Sequence, residues 1–194
     1  VAHVLGAMEF VASPRQSLHQ LRAGRRAAGE RPLVDGMTEV QVAERAHLST
    51  SQLTELLATT APRAARARRR LPAPLRWVPI ASDVAGTAET WRLGYLYDVI
   101  YTRDTWMHRV DIARATGRPL MLTAGHDGVI VADVVAEWAR RHRGPFQLRL
   151  GGPAGGAFEE GTAGEEITLD AVEFCRILSG RGSGPGLLAQ QVPF

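Results

Sequence analysis

Residues Tyr101–Leu120 read YTRDTWMHRVDIARATGRPL, and this stretch is the most informative of the chain for fold and function. It has the pattern of the end of a long helix, with Gly117 at a helix-stop position and Pro119 just beyond it. Asp104 and His108 are four residues apart and therefore share one face of that helix. An acid–imidazole pair at this spacing can hold a divalent metal from one side, and it then needs a third ligand from elsewhere in the chain.

His3 is the natural third ligand. It lies on a strongly apolar helix at the start of the sequence, and packing of that helix against the main one would bring the imidazole near Asp104 and His108. Two nitrogens and one carboxylate leave one open position on Zn²⁺, which is the pattern of a catalytic site. The residues alone leave an alternative open, because His3 can be a hydrogen-bonded core residue and Asp104 can pair with Arg103 or Arg109.

Composition narrows the class of protein. The 194 residues are 45% hydrophobic and 22% charged, which fits one large domain or two small ones and argues against a disordered or fibrous chain. No apolar run reaches the roughly 20 residues of a membrane-spanning helix, so we expect no membrane partner. The single cysteine, Cys175, excludes an internal disulfide and suits the cytoplasm. Its apolar neighbours favour a buried small hydrophobe over a nucleophile.

The basic residues are all arginine, and together with the abundant alanine and glycine they are typical of a GC-rich coding bias. The formal net charge is +3. The densest run, RAARARRR at 63–70, has no interleaved aromatic residues and falls at the end of a predicted helix, where arginines suit the helix dipole. We interpret it as a solvated helix terminus and expect no nucleic-acid partner, and a DNA-associated protein is the alternative that this run leaves open.

The hydrophobic pattern predicts an α+β fold, with a helical bundle over 1–120 and a small α/β domain over 121–194. In the bundle we expect helices over 1–26, 38–47, 49–70 and 90–116, a break at Ser13–Pro14, and connections at 29–36 and 71–87. In the second domain we expect a helix over 125–142, strands over 145–150 and 166–169, and a last helix capped by Asp170 that ends at Leu178. Because the chain opens in helical register without a cap, we expect a further N-terminal segment before it.

Three segments in combination resemble the mycothiol-dependent maleylpyruvate isomerase family of the DinB-like superfamily. They are VAHVLGAME at 1–9, RDTWMHRVDIARATGRP at 103–119, and LDAVEFCRILSGRG at 169–182 followed by the terminal VPF. The resemblance covers essentially the whole chain. It implies a DinB-like four-helix bundle, whose first helix is absent from this sequence, followed by a C-terminal domain of sterol-carrier-like type.

The resemblance also implies a metal site. The family's three metal-binding positions fall on His3, Asp104 and His108, although family members often have Glu or His where this chain has the shorter Asp104. Asp111 fits the family pattern HRVDI. It is expected either to accept a hydrogen bond from a ligating histidine or to brace the helix end by an ion pair with Arg114 or Arg109.

The function implied is a metal-dependent enzyme, with zinc as the expected metal and mycothiol as the thiol cosubstrate, in a monomer or homodimer from an actinobacterial source. It would be an isomerase or a thiol transferase acting on a small, anionic, electrophilic substrate such as maleylpyruvate. Arg109 and Arg181 are the candidates for holding the substrate, because a guanidinium matches a carboxylate, and a plain surface role is the alternative for each. The rival function is a non-catalytic protein that binds small molecules on the same scaffold.

Overall fold

The computed structural model describes residues 1–194, which divide into two compact units. Unit 1 comprises Val1–Asp83 and Ala88–Tyr101, and unit 2 comprises Val84–Thr87 and Thr102–Phe194. Helices are combined with small sheets, which confirms the α+β class. None of the helices has both the length and the apolar content that crossing a membrane requires. The domain division near residue 120 stays a prediction.

Unit 1 begins with four helices of which the first contacts the other three: α1 (Ala2–Ala12), α2 (Pro14–Ala28), α3 (Leu33–Ala43) and α4 (Thr50–Arg70). The predicted break between α1 and α2 is confirmed, since Ser13 caps α2 by accepting a hydrogen bond from the Gln16 N–H and Pro14 occupies the first turn. The predicted start of α4 is also confirmed. There Ser49 and Gln52 form a reciprocal capping box.

The prediction for α3 is wrong at both ends, because this helix starts at Leu33 and not near Thr38, and it stops at Ala43. The residues predicted as a connection at 29–36 are therefore partly helical. Gly36, which indicated a loop in the sequence, lies inside α3 and permits a close contact with α2. A Cβ atom on Gly36 would lie 2.2 Å from the carbonyl oxygen of Gly24, so only glycine allows α3 to approach α2 at this point.

The connection predicted at 71–87 contains a β-hairpin that the sequence pattern did not reveal. Its strands meet at Ala85 and Gly86, whose positive φ angles of 51° and 81° are typical of a two-residue hairpin turn. The long helix begins at Leu93 and not at Thr90, because residues 87–92 belong to a strand. The elements in order are α5 (Ala73–Arg76), β1 (Pro79–Val84), β2 (Thr87–Arg92), α6 (Leu93–Tyr95), a π-helical turn (Leu96–Ile100) and α7 (Tyr101–Thr116).

Unit 2 places a three-stranded sheet between two further helices in the chain. The elements are α8 (Asp127–His142), β3 (Phe146–Gly151), β4 (Gly156–Glu160), β5 (Glu165–Asp170), α9 (Ala171–Leu178) and a 3₁₀ turn (Gly186–Ala189). In the strand order β4-β3-β5, the central β3 is antiparallel to β4 and parallel to β5. The prediction of two strands missed β4. Asp170 caps α9 as predicted, by accepting hydrogen bonds from the N–H groups of Val172 and Glu173.

The core of unit 2 is built from α7, α8, α9 and the inner face of the sheet. Trp138 of α8 is fully buried and its ring meets those of Phe146 and Phe174 edge to face. Cys175 is fully buried beside them, and burial raises the pKa of its thiol to about 12. The interpretation of Cys175 as a small hydrophobe is therefore confirmed.

Candidate metal centre

Helix α7 presents Asp104, His108 and Asp111 on one face. The Nε2 atom of His108 lies 3.2 Å from Oδ1 of Asp104, and both side chains are partly buried. Two donors that are each about 2.0–2.2 Å from a zinc ion in tetrahedral geometry lie about 3.3 Å from each other. The separation of this pair therefore suits two ligands of one metal, and whether the shorter Asp104 serves as a ligand stays a prediction.

The arginines that could have paired with Asp104 bind other carboxylates. Arg103 is fully buried and donates to Asp133 at 2.6 Å, to Glu137 at 2.7 Å and to the carbonyl oxygen of Pro193 at 3.0 Å. Arg109 donates to Asp127 at 2.7 Å. The alternative in which Asp104 exists to pair with either arginine is thereby weakened.

Asp111 connects His108 to two arginines that follow the sheet in the chain. Its Oδ2 atom lies 3.5 Å from Nδ1 of His108, and its carboxylate accepts hydrogen bonds from Nε of Arg181 at 3.0 and 3.2 Å. Arg176 adds a longer contact of 3.4 Å to Asp111 and donates to the carbonyl oxygen of Arg181 at 3.3 Å. Unit 2 therefore brings together four of the residues singled out from the sequence, namely Asp104, His108, Asp111 and Arg181.

Asp111 pairs with neither of the helix arginines considered as brace partners. Arg114 lies 3.5 Å from Glu173. The bracing partners of Asp111 are instead Arg176 and Arg181, which lie more than sixty residues later in the chain. Both of the roles considered for Asp111 thus remain compatible with its contacts, since one carboxylate faces His108 and holds two arginines.

Arg109 lies on a different side of α7. Besides Asp127, it donates to the carbonyl oxygen of Met121 at 2.9 Å, so it ties α7 to the segment that leads into α8. Burial alone would raise the pKa of Asp127, but the Thr123 N–H, the Trp106 indole and the Arg109 guanidinium together lower it to about 2. These bonds give Arg109 a structural task in unit 2, and its role toward a substrate stays a prediction.

His3 lies on α1 in unit 1, and its Nδ1 atom is 2.7 Å from Oε1 of Gln41 on α3. Gln41 is almost fully buried. His3, Asp104 and His108 each offer one donor atom of a kind that binds divalent metals, two imidazole nitrogens and one carboxylate oxygen. Imidazole nitrogens and carboxylate oxygens are both common ligands of Zn²⁺.

The family model of the mycothiol maleylpyruvate isomerase N-terminal domain matches residues 1–113, more than half of the chain. The chain belongs to this family. The matched range includes all three residues of the candidate donor set and ends two residues after Asp111. The resemblance found in the sequence motifs is confirmed.

One solved structure that is similar to this chain is the crystal structure of a histidine-to-alanine mutant of the mycothiol-dependent maleylpyruvate isomerase. The two share 18% sequence identity with a TM-score of 0.48, over 94% of this chain and 74% of that chain. No curated protein matches the chain.

Two residues with contacts to the candidate centre, Gln41 and Arg176, had not been predicted, and neither had the buried position of Arg103 next to Asp104 in sequence. Gln41 could not be predicted, because an amide in the middle of a helix carries no pattern of its own. Arg176 stands within the motif EFCRILSGRG and precedes Arg181 by five residues, so the motif itself contained a signal for it. Arg103 had been considered only as a pairing partner of Asp104, whereas its full burial makes it an anchor of α7.

Proposed function

We propose that this chain is a metal-dependent enzyme that uses a low-molecular-weight thiol, mycothiol in its family, on a small anionic electrophile such as maleylpyruvate. The observation that carries the proposal is that the family match spans His3, Asp104 and His108. The 3.2 Å between the donor atoms of Asp104 and His108 supports it. The reaction class is addition of a thiol to an activated double bond, with isomerisation if the thiol leaves again and transfer if it stays.

His3, Asp104 and His108 are the proposed ligands of a divalent metal, for which zinc is the best match to two imidazoles and one carboxylate. When bound, such a cation favours the deprotonated form of a thiol, because it stabilises negative charge on sulfur. Asp111 faces the Nδ1 side of His108 and is proposed to hold that ring so that Nε2 points toward Asp104.

Arg181 is the stronger candidate for holding the anionic substrate. Asp111 occupies its Nε atom, and its two terminal nitrogens have no hydrogen-bond partner within the chain. A guanidinium held in this way keeps one edge for a carboxylate, which it binds with two parallel hydrogen bonds. Arg109 is the weaker candidate, because its Nη2 atom already donates to Asp127 and to the carbonyl oxygen of Met121 and so ties the side chain to the structure of unit 2.

A kinetic comparison tests the enzyme proposal. Zinc-loaded protein is assayed for cis–trans isomerisation of maleylpyruvate and for thiol transfer, each with and without mycothiol. We expect turnover that requires both the thiol and the metal. Arg181→Met should lower kcat/KM about ten- to hundredfold, since hydrogen bonds to charged groups contribute about 1.5–3 kcal/mol.

Arg149→Met is the matched control, because Arg149 is an exposed arginine on the outer face of β3. It should leave the kinetics unchanged. If the zinc-loaded protein binds small ligands but turns over neither substrate class with the thiol present, the enzyme proposal fails and the protein is a binding module. Equal losses in the two arginine variants would remove Arg181 from the substrate site.

A further inference from the structure

A chain of three hydrogen bonds leads from the imidazole of His3 to the backbone of its own helix. Oε1 of Gln41 lies 2.7 Å from Nδ1 of His3, Nε2 of Gln41 lies 2.8 Å from Oε1 of Gln20, and Nε2 of Gln20 lies 3.0 Å from the carbonyl oxygen of Gly6. The path crosses α1, α3, α2 and returns to α1, and all of it lies within unit 1. We call these residues the amide relay: Gln41, Gln20 and the carbonyl of Gly6.

The direction of every bond in the amide relay follows from its last member. A backbone carbonyl can only accept, so Gln20 must present its NH₂ group to Gly6 and its oxygen to Gln41. Gln41 must then present its own NH₂ group to Gln20 and its oxygen to His3. An amide oxygen can only accept, so the Nδ1 atom of His3 must carry the proton. In the neutral ring, Nε2 is then the nitrogen with the lone pair.

Burial makes this direction costly to reverse. Gln20 is fully buried and Gln41 is 3% exposed, so reversing either amide would set oxygen against oxygen without water to relieve it. The position of Gln41 is fixed further because its backbone carbonyl accepts a hydrogen bond from Arg45 at 2.8 Å, and Arg45 is itself paired with Glu9.

Gly6 serves the amide relay in a second way. A Cβ atom at this position would lie 2.5 Å from Cγ of Gln41, closer than side-chain carbons approach each other. Glycine therefore lets the Gln41 side chain pass across α1 toward His3. The carbonyl of Gly6 thus ends the amide relay, and the absence of a side chain at Gly6 leaves room for Gln41.

We infer that Gln41 and Gln20 are positioning residues that fix His3 as its Nδ1–H tautomer and so present Nε2 as the ligand atom. The value of the relay to the protein rests on the proposed metal site, because a ligating imidazole must offer an unprotonated nitrogen in a fixed orientation. A neutral amide does this without adding charge next to the metal. The tautomer itself can be measured whether or not a metal binds.

The test is nitrogen NMR of the metal-free protein labelled with ¹⁵N-histidine, in which long-range ¹H–¹⁵N correlations separate the two tautomers. We expect the His3 ring of the unsubstituted protein to be the Nδ1–H form alone. Gln20→Leu leaves the contact between Gln41 and His3 possible but removes the group that orients Gln41, so we expect a mixture of both tautomers. Ser17→Ala is the control, since it removes a hydrogen bond of 2.6 Å to the Phe10 carbonyl in the same helices without touching the relay.

An Nε2–H form of His3 in the unsubstituted protein would overturn the inference, and this reading needs no variant to fold. Retention of the pure Nδ1–H form in a folded Gln20→Leu protein would also overturn it. Zinc titration supplies the second readout, in which Gln41→Leu should weaken the affinity about ten- to hundredfold. If the unsubstituted protein shows the Nδ1–H tautomer yet binds no zinc, the metal proposal fails while the relay stands. If the unsubstituted protein binds zinc but shows the Nε2–H tautomer of His3 when metal-free, the relay fails while the metal proposal stands.

Discussion

The two histidines of the candidate metal centre are supported in different ways. In unit 1, a neutral amide meets His3 at 2.7 Å and is itself oriented through buried neutral groups. In unit 2, the nearest support of His108 is the Asp111 carboxylate at 3.5 Å, which also holds Arg176 and Arg181. The first arrangement is directional and uncharged, whereas the second is longer, charged and shared. The comparison indicates that unit 1 fixes a ring, while unit 2 connects its ring to groups suited to bind an anion.

A related contrast lies between the buried charges of unit 2 and the neutral amide relay of unit 1, although unit 1 also contains the buried Arg45 paired with Glu9. Unit 2 relies on buried charge, with Arg103 between Asp133 and Glu137, and Asp127 beneath Trp106 and Arg109. The relay in unit 1 relies on amides. Charged supports should be costly to break and sensitive to pH, and neutral supports should be cheaper to break and insensitive to it.

The largest effect is expected for Arg103→Met. Removing the guanidinium leaves the nearly buried Glu137 without one of its partners and frees the carbonyl of Pro193, so the free energy of unfolding should fall by about 3–5 kcal/mol. Urea denaturation measures it. Arg140→Met, at an exposed site on α8, is the control. A loss below about 1 kcal/mol would mean that buried charge does not anchor α7.

Asp127→Asn should have the next largest effect and should change how stability depends on pH. The folded-state pKa of about 2 lies below the ordinary value of 3.8, so the stabilisation is present above pH 3.8 and is lost as the pH falls toward 2. It amounts to about 2 kcal/mol. Unfolding measured from pH 5 to pH 2 should show a smaller decline in the variant. Parallel curves for the two proteins would contradict the charged contacts of Asp127.

Gln20→Leu should cost less, about 1–2 kcal/mol, because it removes the side-chain donor to the Gly6 carbonyl and leaves the NH₂ group of Gln41 without its acceptor, while adding apolar burial. The loss should be the same from pH 5 to pH 8 and at low and high salt, since no charge is involved. Thermal unfolding at several ionic strengths measures it. A strong salt dependence would mean that the neutral character assigned to this part of unit 1 is wrong.

The smallest effect is expected for Arg114→Ala. Its contact of 3.5 Å with Glu173 joins two exposed side chains, and such pairs contribute well under 1 kcal/mol. Urea denaturation should detect a change within about 0.5 kcal/mol. A loss comparable to that of Arg103→Met would show that exposure does not separate strong from weak charged supports in unit 2.

Local signals in the sequence predicted much of the fold. Ser13–Pro14 and Ser49 mark helix starts through their own capping chemistry, and Asp170 does the same for α9, so no distant contact was needed. The hairpin was missed because its two strands are stabilised by pairing with each other, which neither segment reveals alone. Residues 87–92 taken alone also fit a helix start. Strand β4 was also missed, because its five residues include only one large apolar side chain and therefore show no alternating pattern.

The contacts of the candidate centre also divide into those that local spacing predicts and those that depend on distant parts of the chain. Asp104 and His108 could be predicted because helical spacing alone brings them together. The contacts of Asp111 with Arg176 and Arg181 span more than sixty residues, and no spacing rule predicts them. The amide relay depends on a glycine that lets Gln41 cross α1, so its existence follows from the packing of three helices and not from any of their sequences.

Calorimetric titration of Zn²⁺ into the metal-free protein tests the proposed centre most directly. We predict one bound ion per chain. Binding should be lost or greatly weakened in each of His3→Ala, Asp104→Ala and His108→Ala, and it should persist in His47→Ala, which removes an exposed histidine outside the donor set. Failure of the unsubstituted protein to bind zinc, or binding by His3→Ala with unchanged affinity, would contradict the three-ligand centre.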